Sequence, residues 1–356
     1  MKLAMEREID QAISKQRARY PTKSIREQFG QTMIALAEAN PEMVAITADL
    51  MYATGMSGFG ARFPSRLINV GIAEQNMTGI AAGMASCGKL PVTCGYAAFT
   101  ALRALEQAKV DCAYNEVKVI LVGLSAGVSY GVGGPTHQTY EDVAIMRAIP
   151  NMTVVVPSDA IEVDQALAAC VAHPRSAPIF LRLGRGPESL FNDPAQPFRI
   201  GEARKLRDGT DLCIVANGPM VFESLLACDA LAQTGMRCSV LNMHTVKPID
   251  SQSLLAQAAR VRAMLVVEEH NVLGGLGSAV LEVLEGVRRC PVERIGIPDI
   301  YPPIGPTSEL RAALGLDAAH IASRARALFD RASGSASIGS PHPESSVAWS
   351  EFGESP

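Results

Sequence analysis

The side chains best placed for chemistry in this sequence follow short apolar runs. Glu74 stands in Gly-Ile-Ala-Glu-Gln-Asn-Met, after the run Leu67 to Val70 and at the start of a small-residue helix, Asn76 to Ser86. A carboxyl among Ile, Ala, Gly and Met is poorly solvated, which favours its protonated form. It could then hold a proton or share one with a heterocyclic nitrogen. The plainer reading is a helix-start glutamate stabilised by the macrodipole. Tyr96 and Phe99 lie three apart behind the run Leu90 to Cys94. If a helix begins there they share a face, where they could stack on a flat ring or pack in the core. His137 ends a Gly-Gly-Pro-Thr turn in the glycine-rich loop Ser125 to Gln138. Histidine carries protons near neutral pH, and glycines admit a ligand close to the backbone. Arg185 follows the run Phe180 to Leu183; its guanidinium fork suits phosphate or carboxylate, or a loop salt bridge. Asp49 closes the run Met43 to Thr47 and could reach the same edge.

These residues need strands to hold them. Short apolar runs (Met43 to Thr47, Leu67 to Val70, Leu90 to Cys94, Val117 to Val122, Met152 to Val156, Pro178 to Leu183) alternate with helical patterns near 25–39, 75–87, 97–113, 140–148 and 159–172. That alternation predicts a mainly parallel sheet covered on both faces. In such sheets ligands bind beyond the carboxyl ends of the strands. The stretch 184–199, with Gly, Pro, Asn and Asp, reads as a boundary. A second α/β alternation follows, with strands at Leu212 to Val215, Arg237 to Asn242, Ala263 to Val267 and Arg294 to Ile297 and helices near 219–234, 251–260, 275–288 and 308–330. The expected fold class is α/β: two consecutive doubly wound domains with mainly parallel sheets, at 21–190 and 200–331. A helix is expected over 1–20. A Ser-, Gly- and Pro-rich tail over 332–356 is expected to be disordered, since it has little apolar surface to offset ordering entropy.

Composition narrows the classes. The chain has 356 residues, 48% hydrophobic and 19% charged, with net charge −4. That balance gives no electrostatic reason to expect nucleic acid or an anionic membrane as partner. No 18-residue uncharged apolar run and no signal peptide is visible, so the expected location is the cytoplasm. The eight cysteines form no CxxC pair and read as free thiols in a reducing compartment. The Gly-Gly-Leu-Gly at 274–277 is a weak phosphate-loop signal, and close helix packing is its expected role.

In this order the motifs resemble the C-terminal section of transketolase, that is, its pyrimidine-binding and C-terminal domains. The resemblance is carried by TADL (47–50), NVGIAEQNM (69–77), Tyr96 and Phe99, GGPTHQ (133–138), AIPNMTVVVPSDA (148–160), LRLGRG (181–186), VKPID (246–250) and VEEHNVLGGLGSAV (267–280). It implies thiamine diphosphate as cofactor. Glu74 would hold the aminopyrimidine N1′ and promote the tautomer that deprotonates the thiazolium carbon. Phe99, with Tyr96 beside it, would stack on the ring, and Asp49 would lie near the cofactor. His137 would sit by substrate hydroxyls, with a catalytic part, and Arg185 by the substrate phosphate. The family's Gly-Asp-Gly motif, which holds diphosphate and Mg2+, is missing from this chain. The resemblance therefore implies one half of a split transketolase, the half that follows the diphosphate domain. An N-terminal (diphosphate-binding) partner subunit would carry the Mg2+ ligands, in an α2β2 assembly. No metal ligand is expected here.

Four substrate positions depart from the family. Gly133 stands for an aspartate, Ser125 for a histidine, Ala53 for a serine and Lys23 for an arginine. Altered substrate contacts beside an intact cofactor set imply a modified sugar as donor or acceptor in two-carbon ketol transfer. Two other readings stay open. One is a decarboxylating enzyme like deoxyxylulose phosphate synthase or the β subunit of a 2-oxo-acid dehydrogenase. The other is a non-catalytic partner subunit.

Overall fold

The computed structural model describes residues 13–286 and 290–334. Most of the helix expected over 1–20 and nearly all of the expected tail lie outside the described residues; 13–17 are helical.

The first domain is organised on a seven-stranded sheet. Its strands are β2 (Met43–Thr47), β3 (Leu67–Asn69), β4 (Leu90–Tyr96), β5 (Ile120–Leu124), β6 (Thr153–Val155), β7 (Ile179–Arg182) and β12 (Thr245–Lys247), in the order β12-β6-β7-β5-β4-β2-β3. All neighbours pair in parallel except β12, which joins β6 antiparallel. Every residue of β2, β4 and β5 is buried, which is why these strands read as unbroken apolar runs. One covering helix, α1 (Ile25–Ala39), starts where the Ser24 side chain accepts from the Glu27 amide. Its buried Ile25, Phe29, Met33 and Ala37 recur every fourth residue and form the inward stripe.

The chain runs from β2 outward to β3 and then returns to β4 on the other side of β2. The gap between the carboxyl ends of β2 and β4 is thus a topological switch point, the usual place for a ligand in an open α/β sheet. The second domain has a five-stranded sheet, order β14-β13-β10-β11-β9. It comprises β9 (Arg204–Arg207), β10 (Leu212–Ala216), β11 (Cys238–Asn242), β13 (Ala263–Asn271) and β14 (Val292–Ile297), with only β9 antiparallel. One buried apolar cluster runs through both domains, joining Ile46, Val154 and Phe180 to Cys213, Leu241 and Val266. A buried Arg204–Glu162 ion pair at 3.1 Å, with Asn242 also donating to Glu162, fastens them further.

Three expectations need correction. The helix expected over 97–113 is composite: π-type turns over Ala98–Arg103 and Ala108–Tyr114 flank a short α-helical piece, Leu105–Gln107. The single helix expected over 308–330 is two, Thr307–Ala313 and Ala318–Ala332. Gly315 at φ +69° turns the chain, and the Asp317 side chain caps the second helix by accepting from the His320 amide. The boundary stretch 184–199 is not all loop. It contains β8 (Pro187–Ser189), which pairs antiparallel with β1 (Thr22–Ser24).

Candidate active site

Glu74 is the first residue of α2 (Glu74–Ser86), two residues earlier than the expected helix start. It falls on the inward stripe with Met77, Thr78, Ala81 and Ala82, so helical periodicity itself buries it, to 1% exposure. The carboxylate is not isolated among apolar groups, as the sequence suggests. Arg103 donates from Nη1 to Glu74 Oε2 at 2.8 Å. The same guanidinium lies over the Phe99 ring, 4.4 Å from its centroid. Phe99 and Arg103 are four residues apart in one helical segment, so both face the start of α2.

The aromatic pair belongs to a larger cluster. Tyr96 and Phe99 are 6.0 Å apart by ring centroids. The half-buried His137 ring packs against Tyr96 at 5.8 Å, Phe99 at 5.5 Å and Tyr130 at 5.6 Å. Its Nδ1 lies 2.9 Å from the Thr136 hydroxyl. Arg185 donates to the Tyr96 hydroxyl at 2.7 Å and stacks on Tyr130 at 4.1 Å. Glu74, Tyr96, Phe99, His137 and Arg185, far apart in sequence, thus lie at one edge of the sheet.

The remaining predicted residues are nearby to different degrees. Asp49 leaves β2 at φ +60°, is exposed, and exchanges hydrogen bonds with Asn69 at the end of β3. Asn69 also accepts from the Gly71 amide, tying the exits of both strands just before Glu74. Ser125, at the end of β5, is buried at φ +61°, and its Oγ has no hydrogen-bond partner. A non-glycine residue held in that region stores strain, a common mark of a functional site. Lys23 lies in β1 in register with Glu188, and the Ile25 amide donates to Gly186 beside Arg185. The structure therefore holds Lys23 beside the Arg185 loop through the backbone alone.

The reason for the glycines in the loop 125–138 differs from the expected one. A Cβ on Gly127 would stand 2.0 Å from Glu269 Oε1, and one on Gly131 would stand 2.3 Å from the Gly305 carbonyl oxygen. These glycines admit the second domain. Gly133 alone among them faces site residues, His137 and Tyr130. The Gly-Gly-Leu-Gly of 274–277 packs closely, as expected: Cβ atoms on Gly275 and Gly277 would meet Glu268 and Arg294. Sequence reading missed two site residues. Arg103 is four residues past Phe99, a spacing that carried the signal. Tyr130 sits inside the quoted loop, overshadowed by His137.

A buried carboxyl group able to share a proton with a ring nitrogen, beside an aromatic face, is what an aminopyrimidine requires, and the Arg103 guanidinium shows that a flat group fits against both. The residues present fit that half of thiamine diphosphate. Among the described residues no group of three or more His, Cys, Asp or Glu is gathered to hold a metal ion.

Comparison with known proteins identifies the family. The family model described as transketolase, pyrimidine binding domain, matches residues 22–187, and that of the transketolase C-terminal domain matches 201–321. The chain is 38% identical over 307 residues to the 6-deoxy-6-sulfo-D-fructose transketolase subunit of Clostridium sp. strain MSTE9, covering 86% of this chain and 95% of that one. It is 38% identical over 294 residues to an apulose-4-phosphate transketolase subunit of Phocaeicola vulgatus, covering 82% and 93%. Among solved structures, a split-gene transketolase described as an inactive beta4 tetramer superposes with a TM-score of 0.79 at 35% identity, covering 87% of this chain and 99% of that one. The chain belongs to the transketolase family and carries its pyrimidine-binding and C-terminal domains.

Proposed function

We propose that this chain is the pyrimidine-domain subunit of a two-subunit ketol transferase. A second chain holds the cofactor's diphosphate and Mg2+, and the closed assembly is α2β2. The observation that carries the reading is the buried Glu74 carboxylate at the start of α2, set beside the Phe99 face. Near-full-length similarity to proteins named as transketolase subunits supports the division between two chains.

When bound, thiamine diphosphate supplies a carbon nucleophile that takes a two-carbon ketol unit from a ketose and passes it to an aldose. This chain's residues prepare the site for that chemistry. Glu74 holds the proton at the pyrimidine N1′, the ring taking the place of the partly exposed Arg103 guanidinium. Phe99 and Tyr96 fix the ring plane, and Asp49 with Asn69 shapes the adjoining edge. His137 and Ser125 meet substrate hydroxyls, and His137 moves a proton there. Arg185, already oriented by Tyr96 and Tyr130, takes an anionic terminus, with Lys23 near it.

With Gly133 where the family has a carboxylate, the substrate is a sugar other than the usual pentose phosphates, with a tetrahedral oxyanion at its end. The names of the two relatives carry a sulfo group and a phosphate, both of that kind.

The test is purification of the tagged chain from its source cell. The reading expects a stoichiometric partner bearing Gly-Asp-Gly, retained thiamine diphosphate, and ketose-dependent conversion of an aldose. Pyruvate consumption with CO2 release would replace it with the decarboxylating reading. A chain that recruits no such partner, and binds no cofactor when a recombinant diphosphate-domain subunit and Mg2+ are added, would leave the non-catalytic one.

A further inference from the structure

We infer that the second domain sets the shape of the loop 126–140, which carries Tyr130 and His137, and that Glu269 is the positioning residue through which it does so. This rests on the reading above that the loop meets substrate.

The loop is gripped from two sides. On one side, β13 presents Glu269, buried, with Oε1 accepting from the Val128 amide at 3.0 Å. Further along β13, the Asn271 amide donates to the Tyr140 carbonyl at 2.6 Å, and His270 Nε2 accepts from the Ala144 amide at 3.2 Å. On the other side is the segment 303–311. Thr307 donates to the Val128 carbonyl at 3.2 Å, the Gly305 amide to the Gly131 carbonyl at 3.4 Å, and Gln138 to the Pro303 carbonyl at 3.0 Å. The loop's own ends close on each other through the Gly127 and Thr139 amides, each donating to the other's carbonyl. Tyr130 and His137 sit between these fixed points.

Glu269 is the junction of this frame. Its second oxygen accepts from Arg311 Nε, while Arg311 Nη2 reaches Glu188 at 2.8 Å, three residues beyond Arg185. Its backbone carbonyl accepts from Arg182, which also donates to Thr139 and pairs with buried Asp142 at 2.8 Å. Burial works against the charge on Arg311, but Glu188 and Glu269 outweigh it and raise its pKa. The Arg311 guanidinium therefore stays charged, a strong and directional donor to both carboxyl groups. Glu269 and Arg311 together thus couple the His137 loop to the Arg185 loop.

The approach is so close that no side chain fits at Gly127. An apolar interface could have joined the domains without this arrangement. A carboxylate aimed at one loop amide fixes a position as well as a contact.

The test uses the full chain for hydrogen exchange and the assembled complex for kinetics. Glu269→Ala should raise amide exchange of residues 127–129 by about tenfold or more, as a lost buried hydrogen bond implies. It should also raise the sugar KM by about tenfold through misplacement of the loop, with cofactor affinity unchanged. Glu269→Gln keeps an acceptor for the Val128 amide and should restore most of the KM. Thr307→Val, which removes only the Thr307 bond to the loop, is the milder variant should Glu269→Ala not fold, and should shift exchange and KM the same way. Unchanged loop exchange with a lowered melting temperature would overturn the inference, leaving Glu269 a structural member of the interface. A loosened loop with unaltered KM and kcat would refute both the positioning role and the substrate role of His137. Retained cofactor binding and turnover in that case would leave the transferase reading standing.

Discussion

At the carboxyl end of β4, Tyr96 holds Arg185, and Phe99, Arg103 and Glu74 follow beside it. At the carboxyl end of β13, Glu268, Glu269 and His270 stand in a row, as dense in titratable groups as the first edge. The difference lies in their partners. Glu268 accepts from the buried Leu276 and Gly277 amides at 2.6 and 2.8 Å and so caps the helix Leu276–Val283. Glu269 and His270 are engaged by the first domain. Around Glu74, by contrast, the partner is Arg103, a long side chain with nearly half its surface exposed. Buried backbone amides cannot leave an acceptor without a penalty, whereas a partly exposed guanidinium can. Parallel sheets of similar build thus yield one edge that can exchange partners and one that serves as frame.

The strongest test of that contrast is Glu74→Gln. The assembled complex should lose transfer activity by about 10²- to 10⁴-fold, the usual worth of a proton-handling group, while the unfolding transition barely moves. A stability loss with retained turnover would place Glu74 with the frame instead. Glu268→Ala should do the reverse. Two buried amides lose their acceptor, so denaturant unfolding should report about 2–4 kcal/mol less stability. An unshifted midpoint would show that the second edge is not built as described.

Acid should act instead where the two domains join, beside the Arg204–Glu162 pair. His244 is buried, and burial, then Arg204, push its pKa down to about 3 from an ordinary 6.5. The unfolded chain binds that proton below pH 6.5 and the folded chain does not until about pH 3. Its contribution is therefore complete above pH 6.5 and is lost as pH falls toward 3, about 2–3 kcal/mol at pH 4.5. Equilibrium unfolding of His244→Gln against pH should lack that slope. Arg185→Lys gives the smallest effect. It keeps the charge but loses the stacking on Tyr130, so steady-state kinetics should show KM for an anionic sugar rising about tenfold with kcat little changed.

Long buried strands were legible because burial on both faces leaves an apolar run with nothing else to be; β2, β4, β5 and β10 lie where those runs are. Three-residue strands such as β1, β8 and β12 are too short for periodicity to mark, and their pairing depends on segments far away in sequence. Turn chemistry at Gly315 and Asp317 was present but hidden inside a helical pattern. In the site, Glu74 announced itself as a charge among small apolar residues. Arg103 was marked only by its spacing from Phe99, because an arginine on a helix is otherwise ordinary until its partner's position is known. The loop glycines read as ligand-facing, since nothing in the sequence says which neighbour a glycine admits.

The antiparallel strand β12 has a consequence for how the chain is made. It borders the first domain's sheet but comes from residues 245–247, about sixty residues after that sheet's last parallel strand. During synthesis β6 therefore waits with a bare edge, open to pairing with any other extended segment, until Lys247 has cleared the ribosome. A fragment ended near residue 200 would keep that edge bare permanently. It should collect as aggregate where the longer chain stays dispersed.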